Sequence, residues 1–96
     1  MKNLVLKDIV KNSSSNEEGL VLFNLLSDAY VNKTKIILHI DSDSSISSSF
    51  LNTSIGEFLD LYGFTNFKET VKFKGNKSQF ERLNNYINKY KSLYLA

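Results

Sequence analysis

The sequence contains no cysteine and one histidine, His39. The first absence excludes disulfides, thiolate catalysis and cysteine-ligated zinc. The second puts a histidine-rich metal site out of reach, and no cofactor is expected. No stretch reaches the roughly 18 apolar residues of a membrane span. The N-terminal "MKNLVLKDIVKN" is broken by Lys7, Asp8 and Lys11 before an apolar core could form, so it does not read as a signal peptide. The expectation is a cytoplasmic protein with no membrane association. Excess charge is also missing. Twelve basic residues oppose ten acidic ones, a formal net charge of +2, which argues against a polyanion such as nucleic acid as partner.

What is present describes a small globular chain. Its 96 residues fit one domain, 1–96, and 42% hydrophobic residues suffice for a core. Residues 3–10 ("NLVLKDIV") are rich in aliphatic side chains and read as a strand. "NSSSNEEGL" follows, with Ser14 or Ser15 as a helix cap and Glu17 or Glu18 completing a capping box. That helix runs to about Asn32 with Leu20, Phe23, Leu26 (or Val31) and Tyr30 on its buried stripe, widened by Leu22, Leu25 and Ala29. Gly19 within it points to close packing or a special N-terminal turn, since glycine costs about 1 kcal/mol against alanine in a helix. "KIILHI" (35–40) is a nearly continuous apolar run and predicts a central, parallel strand buried on both faces.

A second helix is predicted from Ser48 or Ser49 to Tyr62, stopped by Gly63. "ETVKFKG" alternates as an edge strand, with Val71 and Phe73 inward and lysines outward. The last segment repeats Phe80, Leu83, Ile87 and Tyr90 at helical spacing. The order β-α-β-α-β-α predicts an α/β sandwich with a mostly parallel sheet and helices packed on it.

Three stretches in this order carry a resemblance. They are "SNEEGLVLFNLL" (15–26), "KIILHIDSDSSISSSF" (35–50) and "FLNTSIGEFLDLYG" (50–63). Together they resemble the STAS-like family, small α/β domains akin to anti-sigma factor antagonists, over roughly residues 14–73. The resemblance implies a STAS-like fold and a regulatory, non-enzymatic role. It also implies a protein partner bearing a histidine-kinase-like ATPase domain, or a switch protein controlled by one. Ser48 falls at the position of the serine regulated in anti-sigma factor antagonists. Ser47 stands in place of their aspartate, and Phe50 in place of a glycine. Asn16 replaces an arginine usual in the STAS-like family, and Asn52 and Thr53 replace an acidic pair.

Residues 41–50 and the second helix form the candidate docking surface, lined by Asp41, Asp43, Ser47, Ser48, Ser49 and Asn52. A phosphate on Ser48 would add about −1.5 to −2 charge at a helix N-terminus. The competing account is a capping serine with the others filling a polar loop. Asp41 and Asp43 with neighbouring hydroxyls make a weak Mg²⁺ signal, for which loop solvation is the better reading. His39 reads as a packed strand residue or a sheet-facing hydrogen-bond donor. Lys68, Lys72, Lys74 and Lys77, with Phe67 and Phe73, read as an exposed edge strand rather than a nucleic-acid surface. Tyr86, Tyr90 and Tyr94 step by four along the last helix, as a core stripe or, less simply, a partner-facing strip. The functional expectation is a protein-binding regulatory module without catalysis. The alternative is a self-associating structural module, or a phage-type inhibitor, that uses the same frame without a phospho-switch.

Overall fold

A computed structural model describes residues 2–10, 16–40 and 46–94. Among these, strands β1 (Lys2–Val5), β2 (Ile36–His39) and β3 (Val71–Lys74) form one parallel sheet in the order β1-β2-β3. The register pairs Leu4 with Leu38 and Leu38 with Phe73, so these three share a face. Helices α1 (Leu6–Ile9) and α2 (Asn16–Val31) lie between β1 and β2. Helix α3 (Ser48–Leu51), a π-helical segment (Asn52–Gly56) and α4 (Glu57–Tyr62) run unbroken, and α5 (Phe64–Thr70) leads into β3. Helix α6 (Lys77–Tyr94) closes the chain's described part. The α/β class, the parallel sheet and β2 at its centre agree with the sequence expectation.

Sequential strand order with right-handed crossovers sends both connections to the same side of the sheet. Helix α2 accordingly packs against α3 and the π segment. Ile36, Leu38 and Val71 on that side are buried, whereas Ile37 and His39 on the other are partly buried and Lys72 and Lys74 exposed. β2 is therefore covered on one face, not two. The apolar run misleads because Ile37 shares its face with His39 and the exposed Lys72 and Lys74.

Local differences follow from packing. Strand β1 ends at Val5, since Leu6 and Val10 turn into the core as α1 forms. The buried series of α2 is Gly19, Leu22, Leu26 and Ala29, which leaves Leu20 48% exposed outside the stripe. The α2 cap assigned to Ser14 or Ser15 lies outside the described residues. Gly63 ends the second helix, but with φ +86° and ψ 165° it opens at once into α5 instead of a loop. Glu69 and Thr70, expected in the edge strand, belong to that helix. Asn76 caps α6 by accepting from the Gln79 N–H at 2.9 Å. Leu83 and Ile87 are buried on α6, while Phe80 is 46% exposed.

Candidate functional site

The serines that begin the second helix divide their work. The Ser47 hydroxyl oxygen accepts from the Phe50 N–H at 3.1 Å and caps the helix from an extended backbone conformation. Ser48 and Ser49 occupy the first turn and are exposed. Among the described residues no hydrogen bond engages the Ser48 hydroxyl. Ile46, Phe50 and Leu51 are buried and fix this turn against the core. Asp41 and Asp43, predicted for the same surface, lie outside the described residues.

One turn further on, the helix departs from α geometry. The Glu57 N–H reaches back five residues to the Asn52 carbonyl. Thr53 Oγ1 donates toward the carbonyls of Ser49 (3.1 Å) and Phe50 (3.3 Å), and Ser54 Oγ donates to Phe50 at 2.7 Å. Such back-bonding competes with the helical ladder and favours a local π turn. Gly19 of α2 fits against this segment. A Cβ there would stand 1.8 Å from Thr53 Oγ1 and 2.8 Å from the Phe50 carbonyl oxygen.

Helix α6 braces the same region from the other side. Arg82 donates to the Ile46 carbonyl just before the capping serine. The Tyr86 hydroxyl donates to Asn52 Oδ1 at 2.6 Å, so this predicted surface residue is exposed yet held. Tyr86 and Tyr90 lie over Gly56, where a Cβ would meet the Tyr86 hydroxyl at 2.7 Å. These two tyrosines are thus a packing strip, and the Tyr94 side chain lies outside the described parts. Ser47, Ser48, Ser49 and Asn52 are brought together, with Arg82 and Tyr86 added. A signal for Arg82 existed in the sequence: it is the single arginine of a lysine-rich chain.

The remaining candidates separate from this site. His39 Nε2 is 3.0 Å from Asn3 Oδ1, a bond between neighbouring strands on the open sheet face. Phe67 is buried and Phe73 partly so, while Lys77 sits 3.9 Å from Glu81 as a helical i,i+4 pair. No cluster of three or more histidine, cysteine or acidic residues suited to a metal ion occurs among the described residues. No described helix is long and apolar enough to cross a membrane.

Comparison with curated proteins returns no match, and comparison with solved structures returns none either. A family model does match, over residues 18–80. That span holds the Gly19 contact, the Ser47 cap, the π segment and strands β2 and β3, but neither β1 nor the bracing residues Arg82 and Tyr86. With this core of the fold inside the matched region, the chain belongs to the family described as STAS-like domain of unknown function (DUF4325).

Proposed function

We propose that this domain is a non-enzymatic regulatory module that docks a protein partner through the start of its second helix, with Ser48 as the modulated residue. The observation that carries this reading is the division between adjacent serines. Ser47 is used by the fold as a cap, whereas Ser48 is exposed in the next position. A phosphate there would meet the helix's positive end, two residues on from the Ile46 carbonyl that Arg82 binds. The resemblance to anti-sigma factor antagonists supports a partner with a histidine-kinase-like ATPase domain.

Affinity capture with wild-type, Ser48→Ala and Ser48→Asp chains tests this. The aspartate variant should keep the wild-type circular dichroism and alter capture of an ATPase-domain partner relative to the wild-type and alanine chains. Three identical capture profiles would sink the switch.

A second reading is self-association. It draws on exposed apolar residues of the outer helices, Val31 at 67% and Leu61 at 59%. Sedimentation velocity separates the two, because a stable oligomer covering residues 48–52 leaves no docking surface there.

A further inference from the structure

Beside β3 runs a cleft of about 270 Å³ that lies apart from the Ser48 turn. Its floor includes Phe67, 3% exposed, and its walls include Phe64, Phe73 and Phe80. Phe80 is 46% exposed there, a large ring left at a wall rather than closed into the core. Lys68 and Lys72 stand on the rim, and no carboxylate lines the cleft. An adjoining depression shares Phe64, Lys68 and Lys72 and extends to Lys35, with Glu69 its one acidic residue. The result is an aromatic slot beside three lysines.

The cleft also straddles a strand edge. Val71 and Phe73 point to the helix side of the sheet and Lys72 to the open side, yet all three line it. Strand β3 pairs with β2 alone among the described strands. Its outer edge, with alternate backbone N–H and C=O groups unpaired by any described strand, therefore lies along the slot.

We infer that this cleft docks an extended, acidic segment of a partner protein, which adds to β3 and places one large apolar side chain among the phenylalanines. Strand addition supplies main-chain affinity and a side-chain pocket supplies specificity. The volume falls below the roughly 300–1,000 Å³ usual for small-molecule sites and suits a single side chain. Charge complementarity selects the acidic character. Lysines on an edge strand also discourage indiscriminate pairing, but that role leaves the exposed Phe80 ring unexplained. A nucleic acid fits less well, because Phe80 is the one exposed ring of the cleft and the chain's net charge is only +2. No residue of the 46–52 turn lines this cleft, so it is independent of the Ser48 site.

Selection of random twelve-residue peptides displayed on phage, against the purified full chain, tests the inference. The enriched peptides should carry aspartate or glutamate around one leucine, phenylalanine or other large apolar residue. By fluorescence anisotropy, a synthetic consensus peptide should bind at least tenfold more weakly to the Lys68→Glu/Lys72→Glu chain and to Phe80→Ala. It should bind wild-type and Ser48→Asp chains equally and weaken with added salt. All the substituted side chains are exposed, and circular dichroism checks that each variant is folded. No enriched motif, a basic consensus, or binding indifferent to these substitutions would overturn the proposal. So would tight binding of a single-stranded oligonucleotide in the cleft. Sedimentation revealing a dimer that Lys68→Glu/Lys72→Glu dissolves would give the cleft to a second copy of the chain instead.

Discussion

At the scale of single residues, Ser47 and Ser48 make the sharpest contrast, because the same side chain has different work in adjacent positions. The Ser47 hydroxyl satisfies an N–H that the first turn of a helix would leave unpaired. Ser47→Ala should cost about 1 kcal/mol of unfolding free energy. Ser48→Ala should stay within about 0.5 kcal/mol, as surface substitutions usually do. Urea denaturation of both variants checks this, and an equal loss at the two positions would mean the fold depends on Ser48 as well. The sequence made a cap at this serine run legible, but not which hydroxyl serves it. That choice depends on where the extended backbone ends, which Phe50 and Leu51 decide by turning into the core. Gly63 was legible as a stop for the same kind of reason: at φ +86° and ψ 165° a side chain would be strained.

Among elements, the contact between α2 and the second helix is the tightest argued from geometry. Gly19→Ala would set a methyl group 1.8 Å from Thr53 Oγ1 and 2.8 Å from the Phe50 carbonyl. The helices must separate, at a cost of roughly 1–3 kcal/mol. Removing the side-chain oxygen in Gly19→Ala/Thr53→Ala should restore only part of that stability, since the backbone carbonyl still obstructs. Thermal unfolding of the single and double variants measures both effects, and a wild-type midpoint for Gly19→Ala would refute the close approach. Gly19 was readable in the sequence as either close packing or a special turn, because glycine inside a helix is costly without a reason; the contact with Thr53 decides between them. The π segment was not readable, because it arises from Thr53 and Ser54 bonding back to carbonyls while a neighbouring helix presses on them. Helix α5 escaped for a different reason. Its seven residues bury only Phe67 and Thr70, too short a stretch for periodicity to emerge. The bracing contacts of Arg82 and Tyr86 were not readable because both come from α6, thirty-odd residues away from the turn they brace.

For the whole molecule, the consequence of strand order is a parallel sheet with one covered face among the described residues. Parallel sheets normally have helices on both sides, and the run "KIILHI" fits a strand of that kind. The alternation in burial along β2 says otherwise: Ile36 is 1% exposed and Leu38 the same, whereas Ile37 and His39 between and beyond them are only partly buried. Hydrophobicity alone could not separate these positions, because isoleucine stands on both faces. A pair of identical substitutions can. Ile36→Ala removes a side chain from the helix-covered core and should cost about 2–5 kcal/mol. Ile37→Ala removes the same atoms from the open face and should cost about 1 kcal/mol, in line with the smaller area it buries. Urea unfolding at low protein concentration gives both values directly. Repeating it at higher concentration adds a second discrimination. A cost at Ile37 that grows with concentration would mean that a further copy covers this face, since association stabilises by mass action. A cost that matches Ile36 at every concentration would mean that the face is covered within the chain, and would overturn the one-sided sheet.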